Sequence, residues 1–192
     1  MASQAEISIA TIGHSTHPIE EFIGILEAHG IRQLVDVRTM PCSRRVPQFN
    51  KENLSASLPA SGITYRHMPG LGGLRHPKRD STNTGWRNAS FRGYADYMQT
   101  PEFRENLEKL IDYAGPARTA IMCAEAVPWR CHRSLIADAL VAREIQVIEI
   151  LGAKQSRPHV LTPFAQVKGS EVTYPAVAAE TSENLKLEFD EP

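Results

Sequence analysis

The strand-to-helix junction on which the fold prediction depends lies in residues 120–138, AIMCAEAVPWRCHRSLIAD. Residues 120–122 are typical of the end of a buried strand, and residues 134–141 carry apolar side chains at helical spacing. In α/β proteins, ligands bind where parallel strands end and helices begin. The junction is the strongest indication of a functional site, because it contains the reactive or charged residues Cys123, Glu125, Arg130, Cys131, His132 and Arg133.

Predicted strands and helices alternate along the rest of the chain. Apolar patterns predict strands near residues 6–13, 31–37, 63–68, 117–123 and 145–151, with helices between them. This pattern predicts a single α/β domain with a mostly parallel, Rossmann-like sheet of about five strands flanked by helices. The strand order stays open. We expect the domain to span residues 1–165, followed by an acidic, partly disordered extension over residues 166–192.

The composition of the 192-residue chain is that of an ordinary globular protein, with 42% hydrophobic residues. No apolar run is long enough to predict a membrane span, and the first residues lack the pattern of a secretory signal. Three cysteines do not make a disulfide framework. We therefore expect a cytoplasmic protein with no membrane partner, and the sequence leaves its oligomeric state open.

A basic segment is concealed by the net charge of −1. Residues 32–92 contain 11 Lys and Arg against 3 Asp and Glu, with aromatic residues between them. Such a segment favours a phosphate-bearing partner, either a small molecule or a nucleic acid. A long loop that merely collects solvated arginines would give the same pattern.

Polar clusters follow or end four of the predicted strands. They consist of His14 and Ser15 at the first strand, Asp36, Arg38, Ser43 and Arg44 at the second, Tyr65, Gly72 and Gly73 at the third, and Cys123 and Glu125 at the fourth. Parallel strands bring their carboxyl ends to one edge of a sheet. We therefore expect one cleft surrounded by His14, Asp36, Arg38, Glu125 and Arg133.

Several roles are predicted within this cleft. The guanidinium groups of Arg38, Arg44 and Arg133 are expected to hold an anion, and Glu125 or His14 to act as acid or base. Cys123 or Cys131 is the candidate nucleophile. Cys131 is expected to be the more reactive thiol, because it alone lies beside a helix N-terminus and three basic neighbours. The other predicted ligand-binding residues are Ser15, Asp36, Ser43, Tyr65, Gly72, Gly73 and His132.

The first hypothesis is therefore a protein that binds or acts on a phosphate-bearing ligand, a nucleotide or nucleic acid, and whether it is an enzyme stays open. One alternative is a cysteine-dependent redox or sulfur-transfer protein. Another is a nucleic-acid-binding module that uses the basic segment without catalysis. Both cysteines could equally be small buried hydrophobic residues.

The sequence identifies no cofactor and predicts no metal site. Cys123, Glu125, Cys131 and His132 are suitable ligand types, but their spacing follows neither a C-x2-C pair nor an H-E-x-x-H helix.

A set of ordered motifs extends over residues 7–163. It comprises Thr11-Ile12-Gly13-His14-Ser15, Asp36-Val37-Arg38, Pro41, Ser43, Gln48-Phe49-Asn50, Tyr65, Leu71-Gly72-Gly73, Phe91, Gly93-Tyr94, Cys123, Glu125 and Cys131-His132-Arg133. With these motifs the chain resembles the bacterial and archaeal family called domain of unknown function 488 (DUF488). Cys42 departs from the expected pattern and is given no role. The resemblance implies a single α/β domain with a shared site and specifies no reaction.

Overall fold

The structure is a computed structural model that describes residues 7–176. Its strands are β1 (Ser8–Gly13), β2 (Gln33–Asp36), β3 (Thr64–His67), β4 (Thr119–Cys123), β5 (Gln146–Gly152), β6 (Gln155–Pro158), β7 (Gln166–Lys168) and β8 (Glu171–Thr173). Its helices are α1 (Ile19–Ala28), α2 (Lys51–Ser57), α3 (Ala89–Met98), α4 (Pro101–Ala114) and α5 (Arg133–Val141). None of these described helices combines the length and the apolar content that a membrane span requires.

The central sheet has six strands in the order β3-β2-β4-β1-β5-β6. Strands β1 to β5 run parallel, and β6 pairs antiparallel with β5. The predicted α/β class with a mostly parallel sheet is confirmed, and the strand order is now known. The sequence does not predict β6, because all four of its residues are exposed and no apolar alternation marks it.

The helices cover both faces of the sheet. Helices α1 and α2 pack on one face together with Ala10 and Ile12, and helices α3, α4 and α5 pack on the other face together with Ile9. The chain winds from β1 through α1 towards β2, but from β4 through α5 to β5 on the opposite side. The direction of winding thus reverses at β1 and β4. Ligands of doubly wound sheets bind outside the carboxyl ends of the strands at such a point.

Side-chain caps set the starts of α3 and α4. The Thr100 hydroxyl accepts a hydrogen bond from the Phe103 amide at 3.2 Å, and Pro101 occupies the first helical position. The Asn88 carboxamide oxygen accepts one from the Ser90 amide at 2.8 Å. Helix α3 therefore begins at Ala89.

Part of the chain beyond residue 165 packs on the domain. Strands β7 and β8 form a hairpin, and the fully buried Tyr174 donates a hydrogen bond to Asp138 at 2.8 Å. The remainder of the predicted extension, residues 177–192, lies outside the described residues. The division at residue 165 stays a prediction.

An ionic network with a buried centre joins α5 to β5. His159 donates from Nε2 to Asp138 at 2.9 Å and from Nδ1 to Glu149 at 2.8 Å, and Arg157 donates to Glu149 at 2.7 Å. Burial alone would lower the pKa of His159, but the hydrogen bonds to the two carboxylates outweigh it and raise this pKa to about 9. His159 is therefore a buried imidazolium between two carboxylates.

Candidate functional site

Two thiols and an imidazole meet at the carboxyl end of β4. Cys123 is the last residue of that strand, and Cys131 and His132 immediately precede α5. The Nδ1 atom of His132 lies 4.0 Å from the Cys123 sulfur and 3.8 Å from the Cys131 sulfur, and all three atoms lie within 4.8 Å of one another. We name these three residues the thiol cluster.

A backbone carbonyl fixes the orientation of the His132 ring. The Nε2 atom lies 3.1 Å from the carbonyl oxygen of Val37, the residue that follows β2. A carbonyl only accepts hydrogen bonds, so Nε2 carries the proton of the neutral imidazole. The Nδ1 atom is then left as an acceptor that faces both thiols. This arrangement suits a histidine that takes a proton from a cysteine.

The two thiols have different environments. The neighbouring Cys131 thiol holds the pKa of the Cys123 thiol well below its usual range, and His132 and the Glu125 amide act in the same direction. The neighbouring Cys123 sulfur, together with burial, raises the pKa of Cys131. Both directions favour Cys123 as the thiolate, whereas the sequence predicts Cys131 as the more reactive thiol. The greater reactivity of Cys131 stays a prediction. The helix N-terminus and the basic neighbours of Cys131 are visible in the sequence, whereas the groups around the Cys123 sulfur come together only in the fold.

The thiol cluster lines a cavity of about 440 Å³. The aromatic rings of Phe91 and Tyr94 line the same cavity, as do Met40 and Leu74, whose side chains are 68% and 76% exposed. Leu74 has a φ of 61°, a left-handed conformation that is uncommon for a leucine and is often found near ligand sites. The charged groups of the cavity include the exposed side chains of Glu125 and Arg130.

A second polar cluster lies on the α1 and α2 side of the same strand ends. Arg38 donates two hydrogen bonds to Asp36, at 2.9 and 2.6 Å, and one to His14 Nε2 at 3.1 Å. Tyr65 donates to Asp36 at 2.8 Å, and His14 stacks on Phe49 with ring centroids 4.1 Å apart. Burial lowers the pKa of His14 to about 4. We name His14, Asp36, Arg38 and Tyr65 the arginine cluster.

The buried side chain of Arg133 stabilises the loop after β4. It is 1% exposed and donates to the carbonyl oxygens of Glu125 at 2.6 Å and Ala126 at 2.9 Å. Gly13 lies against the same loop, and a Cβ atom at this position would collide with the Glu125 carbonyl oxygen. The guanidinium group of Arg133 thus makes its contacts inside the protein.

Four of the other predicted site residues do not line the cavity, namely Ser15, Ser43, Arg44 and Gly72. Ser43 accepts hydrogen bonds from the amides of Arg45 and Val46, and Arg44 is exposed on the same loop. Ser15 has a φ of 49°, and its amide donates to the Ala124 carbonyl at 2.9 Å. The Gly72 carbonyl accepts a hydrogen bond from Arg75.

Gly73 lines the cavity directly. A Cβ atom there would lie 3.1 Å from His132 Nδ1. Of the five residues expected around one cleft, Arg38 and Glu125 line the cavity, and His14, Asp36 and Arg133 are buried beside it.

Sequence reasoning missed the apolar walls of the cavity. Phe91 and Tyr94 occur in the family-like motifs, but nothing in their spacing indicates that they face Cys123. Met40 and Leu74 lie in loops without periodicity. Their position depends on how the loops after β2 and β3 fold back over the end of β4, which the sequence pattern does not encode.

The thiol cluster is also the group of described residues whose side chains could hold a metal ion. Within residues 7–176, no other set of three or more His, Cys, Asp or Glu ligand atoms is close enough to do so.

A comparison with protein families gives one match. A family model described as "Domain of unknown function DUF488" matches residues 18–140, which is more than half of the chain. The matched part includes the thiol cluster and most of the arginine cluster. No curated protein and no solved structure matches the chain.

Proposed function

The chain belongs to the DUF488 family, and we propose that it is a cysteine-dependent enzyme that exchanges thiols with a sulfur electrophile such as a disulfide or persulfide. One observation carries the proposal. Two thiols and an acceptor nitrogen lie within 4.8 Å of one another at a cavity large enough for a small molecule. Cys123 is the attacking thiol in this proposal, His132 its base and Cys131 the second thiol.

The first step is a thiol–disulfide exchange on the substrate. His132 Nδ1 takes the proton of Cys123, and the thiolate attacks one sulfur of a substrate R–S–S–R′. The substrate S–S bond breaks as the new S–S bond to Cys123 forms. The leaving R′–S⁻ takes the proton from the His132 imidazolium.

The second step uses Cys131. Its sulfur attacks the Cys123 sulfur of the mixed disulfide, and R–S⁻ leaves with the Cys131 proton, so that a Cys123–Cys131 disulfide remains. Two equivalents of a cellular small-molecule thiol then reduce this disulfide and are themselves oxidised. The Val37 carbonyl supports both steps, because it holds the His132 ring with Nδ1 towards the sulfurs.

Reaction with a small alkylating reagent tests this proposal. Cys42 is exposed and lies outside the thiol cluster, so it provides an internal reference thiol. With iodoacetamide at neutral pH, followed by peptide mass spectrometry, we expect Cys123 to be modified faster than Cys42. His132→Gln should slow Cys123 and leave Cys42 unchanged, while the exposed His76→Gln is the matched control. Labelling of Cys123 that is slower than that of Cys42 would contradict a nucleophilic role.

Mild oxidation tests the role of Cys131. Incubation with a small aromatic disulfide should leave a Cys123–Cys131 disulfide in the wild-type chain. In Cys131→Ser the mixed disulfide on Cys123 should persist, since the second thiol is missing. Release at the wild-type rate in Cys131→Ser would reject the second step.

A phosphate-bearing ligand is the second candidate, and Arg130 favours it. This exposed arginine lines the cavity, and within residues 7–176 its guanidinium has no hydrogen-bonded or ion-pair partner. Arg38 and Arg133 are instead engaged with internal partners. Under this hypothesis a nucleoside monophosphate should protect Cys123 from iodoacetamide in the wild type and in Arg44→Ala, but not in Arg130→Ala. Salt-sensitive binding of a DNA duplex that is unaffected by Arg130→Ala would favour a nucleic-acid-binding module on the basic segment instead.

A further inference from the structure

We propose that the thiol cluster binds a Zn²⁺ ion through Cys123, Cys131 and His132 when both thiols are reduced. Two thiolates and an imidazole are the donor atoms that zinc prefers. The three ligands come from two points in the chain that are brought together only by the fold. For this reason the sequence spacing, which resembles no zinc motif, does not reveal the site.

The distances between the ligand atoms suit this ion. Zinc binds sulfur at about 2.3 Å and nitrogen at about 2.0 Å, so a tetrahedral ion holds such ligands about 3.6 Å apart. The Nδ1 atom of His132 lies 3.8 and 4.0 Å from the two sulfurs. The two sulfurs lie within 4.8 Å of each other, so each pair of ligand atoms has to approach by about 1 Å or less to close the site around an ion.

The Val37 carbonyl supplies the outer hydrogen bond of the site. A histidine that binds a metal usually donates its other ring N–H to a carbonyl or carboxylate, which fixes the ring and strengthens the ligand. His132 donates from Nε2 to the Val37 carbonyl at 3.1 Å, which leaves Nδ1 for the ion. The contact that suits a catalytic base thus also suits a zinc ligand.

The fourth coordination position faces the cavity. Among the described residues no fourth ligand atom joins the group, and the three ligands line the cavity together with Gly73. The absence of a side chain on Gly73 keeps the space beside Nδ1 open, since a Cβ atom there would lie 3.1 Å from this nitrogen. A water molecule or a small ligand can therefore complete a four-coordinate site.

Zinc binding would control the thiol–disulfide exchange at Cys123, and this part of the inference rests on the proposed function. A zinc-bound Cys123 sulfur shares one of its electron pairs with the metal, which makes it a weaker nucleophile towards a disulfide than the free thiolate. Oxidation of Cys123 and Cys131 to a disulfide removes both thiolate ligands, so it releases the ion. Zinc and disulfide are thus alternative states of the same two sulfurs.

Metal titration of the full chain tests the site. The reduced protein is freed of metal with a chelator, dialysed against Zn²⁺ and analysed for bound zinc, and Co²⁺ is added in parallel as a spectroscopic probe. We expect one zinc per chain, together with the thiolate-to-cobalt charge-transfer band and the intense visible bands of tetrahedral cobalt. Cys123→Ser and Cys131→Ser should lower the affinity by more than the roughly 100-fold that the loss of an outer-shell contact causes. Cys42→Ser, the matched control, should bind like the wild type.

The zinc site and the proposed nucleophile can fail independently, and zinc analysis together with thiol labelling distinguishes the two cases. Circular dichroism shows whether each variant is folded, and Cys123→Ala replaces Cys123→Ser if the serine variant is not. Zinc binding that survives both cysteine substitutions, or the absence of stoichiometric zinc, would overturn the metal site. If zinc fails to bind while metal-free Cys123 outpaces Cys42 with iodoacetamide, only the zinc inference fails. If zinc binds but metal-free Cys123 is slower than Cys42, only the proposed nucleophile fails.

Discussion

At the residue scale, Gly73 determines how much space lies beside the His132 ring. An added Cβ atom would lie 3.1 Å from His132 Nδ1, closer than nine in ten such contacts in proteins. The imidazole cannot retreat freely, because the Val37 carbonyl holds its other nitrogen. An alanine methyl group at position 73 should therefore disturb the thiol cluster more than the packing of the hydrophobic core.

We predict that Gly73→Ala slows the reaction of Cys123 with iodoacetamide by about tenfold, because a displacement of a few tenths of an ångström disturbs the pairing of thiol and imidazole. The thermal midpoint should change little, since Gly73 is only half-buried. Gly152→Ala is the control, as a Cβ atom at Gly152 meets nothing within 4 Å. Equal rates in the two variants would show that Gly73 has no such role.

The sequence indicates which residues lie at strand ends but not which face of the sheet they take. Side chains alternate between the two faces of a strand, so a difference of one position separates the arginine cluster from the thiol cluster. Asp36 and Arg38 lie on the α1 and α2 side, where Arg38 donates to the Phe49 carbonyl, whereas Cys123 packs in the core on the side of α3 and α5. Strands β2 and β4 are buried on both faces, so their sequences show no alternation of apolar and polar residues. The face that each side chain takes therefore cannot be predicted from the sequence.

At the element scale, the end of β1 and the loop after β4 are packed backbone against backbone. The His14 amide donates to the Cys123 carbonyl, and the Ser15 amide to the Ala124 carbonyl, both at 2.9 Å. This close approach is allowed by Gly13, where a Cβ atom would collide with the Glu125 carbonyl oxygen. The positions of the two loops are therefore coupled.

Gly13→Ala should lower the free energy of unfolding by about 2 kcal/mol or more, because the rigid backbone of the facing loop must move. The matched control is Gly24→Ala within α1, where a Cβ atom meets nothing within 4 Å. That substitution should raise the free energy of unfolding by up to about 1 kcal/mol, since alanine is the better helix former. Urea denaturation of both variants measures the difference, and a neutral Gly13→Ala would mean that the loop adapts easily.

Elements with a local signal could be predicted from the sequence, and elements formed only by pairing could not. The Thr100-Pro101-Glu102 start of α4 carries its own cap, so its boundary is predictable. Strand β6 has no buried residue and forms because β5 offers it an edge to pair with. Local signals are sufficient to predict the Rossmann-like class. Predicting the cavity walls would also require the tertiary arrangement of the loops.

At the scale of the whole molecule, two buried histidines give stability opposite dependences on pH. His14 has a folded pKa of about 4 against an ordinary value of 6.5, so the unfolded chain binds the proton more readily between these values. Its contribution is present above pH 6.5 and is lost as pH falls through 4. His159 has a folded pKa of about 9, so its contribution is present below pH 6.5 and is lost as pH rises through 9.

We therefore predict that stability is greatest near pH 6.5 and falls on both sides, by up to about 3 kcal/mol for each histidine. His14→Gln should flatten the acidic side alone, and His159→Gln the alkaline side alone. Urea unfolding at a series of pH values measures both. Unchanged slopes in the variants would mean that other groups govern the profile.

Truncation tests how far the folded unit extends. A chain that ends at residue 176 retains Tyr174, whereas a chain that ends at residue 165 loses its ring and leaves Asp138 without that donor. We expect the shorter chain to unfold at least about 3 kcal/mol more easily, as expected for the loss of a large buried aromatic side chain. The chain ending at 176 should match the full chain. Equal stability of both truncated forms would place the domain end near residue 165, as the sequence predicts.

The position of β1 in the sheet has a consequence for the order of events on the ribosome. Its two neighbours, β4 and β5, begin at residues 119 and 146, so β1 is synthesised long before either partner exists. Pairings between strands so distant in the chain make folding slow. A nascent chain shorter than about 120 residues lacks β4 and β5, the two strands that flank β1. It also lacks the three residues of the thiol cluster. The thiol cluster therefore forms only after β4 and the start of α5 have been translated.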